Sequence, residues 1–134
     1  MNNIINQFTS TIALLQENLF LVLWLIGGLY AIHFINWMIG YRLNFLGIRP
    51  RKFFGLVGIF FSPFLHSNFN HLFFNSIPLG ILASFVLLHG IKTFIYVSAI
   101  IIVLGGFGTT QVKSSWEAHL CGFLAGLAAA YIYV

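Results

Sequence analysis

Four apolar segments, separated by very few charged residues, constrain this chain more than any other feature of its sequence. Each segment approaches the roughly 20 mostly apolar residues that a helix needs to cross a bilayer. Only six Lys or Arg and two Asp or Glu occur among the 134 residues, too few for a soluble domain of this size. We therefore predict an all-α, polytopic transmembrane helical bundle, a multi-pass integral membrane protein. The predicted spans are Leu19–Gly40, His71–Leu88, Thr93–Gly106 (short unless Phe107 and Gly108 extend it) and Ala118–Val134.

The long connector Tyr41–Asn70 is unusual for a loop in water. It begins polar and basic, then becomes apolar at Phe53–Leu65, where Pro63 interrupts it. The apolar part is too short to cross a membrane, so we predict a membrane-embedded first loop whose backbone is covered by protein. With no linker or low-complexity tract, residues 1–134 are predicted to form a single domain.

The basic residues are concentrated in this connector, at Arg42, Arg49, Arg51 and Lys52. In a membrane protein such a cluster faces lipid head groups, and nothing here predicts nucleic-acid binding. The positive-inside rule would place the loop in the cytoplasm. We expect no cleavable signal peptide, because Met1–Asn18 is polar and lacks a basic region.

Strongly polar residues inside a membrane are costly, and here they concentrate at the start of the second span. His71 and Asn75 are four residues apart, on one helix face, and His66 lies just before them. Both the imidazole N–H and the amide NH₂ donate hydrogen bonds, and two such donors suit a developing oxyanion in acyl transfer. The alternative is that they only hydrogen-bond neighbouring helices together.

The last span opens with a second polar residue, His119, which shares a helix face with Gly122 and Gly126. The Gly-x-x-x-Gly pair predicts close approach of another helix backbone. The pattern therefore indicates an imidazole pressed against a neighbouring helix.

These two segments together resemble the rhomboid family of intramembrane serine proteases. Residues Phe64–Asn75 (FLHSNFNHLFFN) are similar to the family signature His-x₄-His-x₃-Asn at the start of its second helix. Residues Trp116–Gly126 (WEAHLCGFLAG) are similar to its last core helix, which carries the catalytic histidine. The half-buried connector also looks like the family's membrane-embedded first loop.

The resemblance implies a rhomboid-like fold and intramembrane serine endopeptidase activity, which hydrolyses peptide bonds in or near transmembrane helices. It implies that His119 is the general base, that His71 and Asn75 lie beside the oxyanion, and that His66 lies in the active-site roof. No cofactor and no metal are implied. The implied partners are transmembrane substrates or clients and the lipid bilayer, in the cell membrane if the source is bacterial. The family places the N-terminus in the cytoplasm, against the positive-inside rule, and we follow the family.

The chain departs from the family in one decisive respect, because none of its serines lies in a Gly-x-Ser-Gly turn. The family core has six spans, and about two of them, on the order of 50–60 residues, have no counterpart between about Phe107 and Lys113. The nucleophile is therefore unknown, and we expect the chain to be inactive. Ser115, one helical turn before His119, and Ser98, within a span, are weaker alternatives. Cys121 is expected to be a packing residue, and a metal site from His66, His71 and His119 is a further alternative.

Three interpretations follow. The chain derives from an active protease without its serine-bearing segment, or it is a catalytically dead relative that binds transmembrane helices. The third is a small helical membrane protein with chance motif matches. Without the serine-bearing helix, we expect either a loosely packed bundle or association into a homo-oligomer.

Overall fold

The fold was obtained as a computed structural model, which describes the backbone of residues 2–48, 57–111 and 115–133 and the side chains of 3–48, 57–108 and 120–132. Over these residues the chain is helical and contains no strand. The elements are α1 (Asn2–Met38), a 3₁₀ turn (Arg42–Leu46), α2 (Val57–Phe61), a 3₁₀ turn (Ser62–Phe64), α3 (Phe69–Leu87), α4 (Ile91–Ile100), a π-helical segment (Ile101–Gly105), α5 (Gly106–Gln111) and α6 (Ser115–Tyr133).

Three of the helices in the described part of the chain are long and apolar enough to cross a membrane: Asn3–Met38, Phe69–Leu87 and Ile91–Gly108. Most of their large apolar side chains are exposed, as expected for helices that face lipid. The all-helical prediction is confirmed, and the length and composition of these three helices fit a membrane protein. The fourth predicted span corresponds to α6, Ser115–Tyr133, and its described side chains, 120–132, are apolar.

The first helix is much longer than the predicted span Leu19–Gly40, since it begins at Asn2. At 1.5 Å per residue it is about 55 Å long, more than the roughly 30 Å of a bilayer's hydrocarbon core. The sequence before Leu19 is polar but contains no proline or glycine, so nothing there stops the helix. The prediction followed apolar character alone and therefore set the start of the helix too late.

Helices α1 and α3 form the antiparallel pair that builds the core. The amide Nδ2 of Asn18 donates to the carbonyl of Leu87 at 3.3 Å, at one end of the pair. Val22 and Leu87 belong to the buried cluster between them, together with Ala83. Gly80 allows the close approach, since a Cβ there would lie 3.1 Å from Cδ1 of Ile26.

The chain reverses tightly where α1 ends. Gly40 and Tyr41 both have positive φ angles, 69° and 60°, and Tyr41 is the only described non-glycine residue of this kind. The buried side chain of Asn36 holds the reversal: its Oδ1 accepts from the backbone N–H of Leu43 at 3.0 Å, and its Nδ2 donates to Oδ1 of Asn44 at 2.8 Å. An aromatic residue in the left-handed region is uncommon, so this turn stores backbone strain.

The described part of the connector turns back into the bundle through α2. Gly58 and Ile59 are buried there. A Cβ at Gly58 would lie 2.5 Å from the backbone of Gly47, and a Cβ at Gly106 would lie 2.5 Å from Ile59. Two glycines therefore seat α2 between the 3₁₀ turn and α5. Residues 49–56, including the start of the predicted apolar stretch, lie outside the described residues.

The third predicted span, Thr93–Gly106, is part of one continuous helical run from Ile91 to Gln111. Its middle, Ile101–Gly105, is π-helical, a local widening that apolar patterning does not reveal. Between the third and fourth predicted spans, residues 109–111 and 115–117 are also helical, in α5 and at the start of α6.

Candidate functional site

The site begins at the N-terminal end of α3, where Asn68 caps the helix. Its backbone is extended, and its Oδ1 accepts a hydrogen bond from the backbone N–H of His71 at 2.9 Å. An asparagine at this position satisfies an N–H that has no partner within the helix. The cap fixes where α3 starts and therefore places His71 on its first turn.

His66 and His71, both predicted from the sequence, lie together at this end. Their rings meet edge to face, with centroids 5.5 Å apart. His66 is buried, whereas His71 is exposed and its Nδ1 lies 3.4 Å from Oγ of Ser67. Asn75 follows one turn later on α3 and is partly buried. The oxyanion role of His71 and Asn75 and the roof position of His66 stay predictions.

A third histidine, His33, belongs to the same cluster and was missed in the sequence. It lies on α1, is 6% exposed, and is close enough for its charge to act on His66. Among the described residues, Nδ1 of His33 and Nδ1 of His66 have no hydrogen-bond partner. An ionisable residue within an apolar helix was the available signal, and His33 carries it as clearly as His71 does.

Burial lowers the pKa of His66 below its ordinary value of 6.5. The nearby charges of His71 and then His33 lower it further, while a backbone hydrogen bond to Phe64 opposes the shift. Burial and the two nearby charges each disfavour the protonated imidazole. His66 is therefore held neutral in the folded protein over the range in which an ordinary histidine begins to take up a proton.

The free energy of unfolding is therefore expected to fall as the pH drops below about 6.5, because unfolded His66 then binds a proton that the folded protein resists. Above that pH both states are neutral and the effect vanishes. Unfolding in detergent from about pH 8 to about pH 5 measures it. His66→Gln should flatten the dependence. His89→Gln, at the exposed opposite end of α3, should leave it unchanged, and an equal flattening there would contradict the assignment.

Helix α6 begins at the same end of the bundle as α3, because successive helices alternate in direction. The contacts of α6 with the helix before it confirm that the two are antiparallel: a Cβ at Gly105 would lie 3.4 Å from Cα of Gly122, and one at Gly108 would lie 2.9 Å from Sγ of Cys121. The side chain of His119 lies outside the described residues. Its backbone is in the second turn of α6.

Only part of the face of α6 that carries Gly122 and Gly126 contacts another helix in the described part of the chain. Gly122 lies where α6 crosses Gly105, whereas Cβ atoms built at Gly122 and Gly126 would meet nothing within 4 Å. Ala125 and Ala129, on the adjoining face, are buried. Helix α6 thus packs through the two alanines and the backbone of Gly122. The space that a Cβ at Gly126 would point into is empty of described residues.

Within the described side chains, no three His, Cys, Asp or Glu residues are placed to hold a metal ion together. This includes the cluster of His33, His66 and His71. The metal alternative from the sequence also required His119, whose side chain is not described. Chemically, the described arrangement offers imidazole and amide groups that donate or accept hydrogen bonds.

The chain is similar to several mycobacterial proteins, each described only as uncharacterized. One from Mycobacterium bovis and one from Mycobacterium tuberculosis are 42% identical to it over 95 residues, covering 64% of this chain and 40% of the relative. One from Mycobacterium leprae is 37% identical over 95 residues, covering 64% of this chain and 38% of the relative. The chain thus spans about 40% of the length of these relatives. No protein-family model and no solved structure matches it.

Proposed function

We propose that the chain is the scaffold of a rhomboid-type intramembrane serine endopeptidase that lacks its nucleophile and is inert alone. The observation that supports this most is the contact of His66 with His71 at the start of α3, at the end of the bundle where α6 begins. The two segments that carry the resemblance therefore start at one end of the molecule. Two chance sequence matches would have no reason to start at the same end of the bundle.

The chemistry proposed for the complete site is acyl transfer. A serine hydroxyl would lose its proton to His119 while its oxygen attacks the carbonyl carbon of the scissile peptide bond. His71 and Asn75 would donate hydrogen bonds to the resulting oxyanion. As the C–N bond breaks, His119 would return the proton to the leaving nitrogen, and water would then hydrolyse the acyl-serine ester by the same route.

Three of the described serines already make local contacts, which supports a missing nucleophile. The hydroxyls of Ser76 and Ser84 each donate at 2.7 Å to the carbonyl four residues earlier, within α3. Ser67 is the serine that contacts a histidine, but its 3.4 Å separation from His71 is long for a hydrogen bond to a hydroxyl group, and Nδ2 of Asn68 also donates to its Oγ. These serines satisfy local backbone and capping interactions.

A second function, binding of transmembrane helices without cleavage, is favoured by a groove between α1 and α3. The groove encloses about 370 Å³ and is lined almost entirely by apolar side chains, among them Leu23, Phe73 and Ile77. A helix that presents a complementary apolar face could pack there by van der Waals contact. In this function the histidine cluster would be a remnant.

The direct test is cleavage of a fluorescent transmembrane substrate by the purified chain in liposomes, beside His119→Ala. We expect no cleavage from either protein, and no labelling by a serine-directed phosphonate, because the nucleophile is missing. Cleavage that His119→Ala abolishes would show that a serine in this chain is active and would refute its inertness. Cross-linking of the uncleaved substrate to the α1–α3 groove would favour the helix-binding function.

A further inference from the structure

An aromatic cavity lies where α1 ends, beside the histidine cluster but on the outer surface of the bundle. It encloses about 470 Å³ and is lined by Tyr30, His33, Phe34, Trp37, Tyr41 and Phe69. We propose that this cavity binds the head group of an ethanolamine phospholipid from the surrounding bilayer. The proposal is independent of the proposed protease function, since none of its steps involves a peptide bond.

The walls of the cavity are built by the strained reversal after α1. The positive φ of Tyr41 turns its ring back over the helix, to 5.8 Å from the ring of His33. On the other side, Phe69 at the start of α3 packs edge to face on Tyr30 at 5.9 Å. A glycine at position 41 would adopt this φ without strain. The aromatic ring of Tyr41 is therefore held here at a cost in backbone conformational energy.

His33 lines the cavity and carries a buried polar atom. It is 6% exposed, and its Nδ1 has no hydrogen-bond partner among the described residues. A buried polar atom without a partner is unfavourable, and a ligand that pairs with it recovers that loss. In the tautomer protonated at Nε2, Nδ1 is an acceptor, so the matching ligand group is a hydrogen-bond donor.

The aromatic rings select a cation among such donors. Aromatic faces attract an ammonium group through the ring quadrupole, and Trp and Tyr are the most effective partners. Glu17, the acidic residue among the described side chains, lies near the middle of α1, about 24 Å from His33 along the helix axis. The cavity thus recognises a cation by aromatic faces and an imidazole nitrogen rather than by a carboxylate.

Arg42 indicates that the ligand also carries a phosphate group. It is exposed and follows Tyr41 directly, at the rim of the reversal. A guanidinium binds phosphate well, and Trp37 and Tyr41 are residue types that settle at the level of lipid head groups. A primary ammonium joined to a phosphate by two carbons matches both features. A choline head has no N–H for His33, and a glycerol head has no cation for the rings.

Native mass spectrometry of the full chain with phosphatidylethanolamine, phosphatidylcholine and phosphatidylglycerol of matched acyl chains tests the proposal. We expect about tenfold more retention of the ethanolamine lipid than of either other lipid, as a charged hydrogen bond and cation–π contacts allow. His33→Phe, which fills the cavity but removes the acceptor, should abolish the preference. Equal retention of all three lipids, or preference for the anionic one, would overturn the proposal.

Two tryptophans on one helix provide the matched control. Trp37 lines the cavity, whereas Trp24 is similarly exposed but lies outside it. Trp37→Ala should lower retention of the ethanolamine lipid, and Trp24→Ala should not. Tyr41→Gly keeps the reversal and relieves its strain, so a weakened lipid preference in a protein of unchanged helicity would support the cavity. An equal loss in Trp24→Ala, or full retention in Tyr41→Gly, would contradict it.

Discussion

A chain that gains two membrane-spanning helices with a Gly-x-Ser-Gly turn, inserted between Gly108 and Lys113, is expected to cleave a transmembrane substrate that the unaltered chain leaves intact. Two added crossings preserve the direction of α6, so the end at which it begins would still be shared with α3. The inserted serine would then have His119 as its base and His71 with Asn75 as oxyanion donors. Each group acts only when all are present.

Cleavage by the extended chain should be measured in liposomes with a fluorescent transmembrane substrate. His119→Ala should lower its rate by at least about a thousandfold, because losing one member of a serine–histidine pair costs almost as much as losing both. Replacing the inserted serine by alanine should have the same effect. Asn75→Ala should cost about a hundredfold or more, the effect of removing one oxyanion donor.

The matched control is His89→Ala. His89 is exposed at the opposite end of α3, about 27 Å from His71 along the helix axis, so its loss should leave the rate unchanged. Cleavage that survives His119→Ala would contradict the assigned base. An extended chain that inserts, folds and still fails to cleave would contradict the protease origin and favour binding of transmembrane helices.

The start of α3 shows how far local sequence signals reach. The spacing of His66, His71 and Asn75 predicted a polar cluster where the second span begins. Asn68 fixes the start of the helix by capping the backbone N–H of His71, three residues later. Such signals are local in sequence, so they can be recognised before the fold is known. The N-terminal boundary of this helix was accordingly predicted to within two residues, at His71 rather than Phe69.

The parts that sequence did not predict depend on contacts between distant residues. His33 joins the cluster only because α1 and α3 are antiparallel and aligned at this end, which no spacing within α1 reveals. The π-helical segment Ile101–Gly105 likewise lies at a contact between elements distant in sequence, since Gly105 meets Gly122 of α6. The long first helix escaped prediction for a different reason, because its polar beginning lacks the apolar character that marks a span.

Replacing Gly58 by alanine is expected to detach α2 from the bundle. A Cβ at this position would lie 2.5 Å from both the carbonyl carbon and the oxygen of Gly47 and 2.6 Å from the nitrogen of Ile48. These are backbone atoms, which cannot rotate away as the end of a side chain can. Relieving the overlap requires α2 to move, and with it the buried Ile59 that packs on Gly106.

The free energy of unfolding of Gly58→Ala should therefore be lower by about 1–3 kcal/mol, the usual cost of overpacking. Gly27→Ala is the matched control, because a Cβ there meets nothing within 4 Å and alanine in a helix is favoured by about 0.5–1 kcal/mol. The two changes should thus have opposite signs in denaturant titrations of the purified protein. Displacement of α2 should also expose His66, which follows it closely in sequence, and so return its pKa toward the ordinary value. If Gly58→Ala were as stable as Gly27→Ala, with His66 unaffected, the packing of α2 between the 3₁₀ turn and α5 would not hold the connector in place.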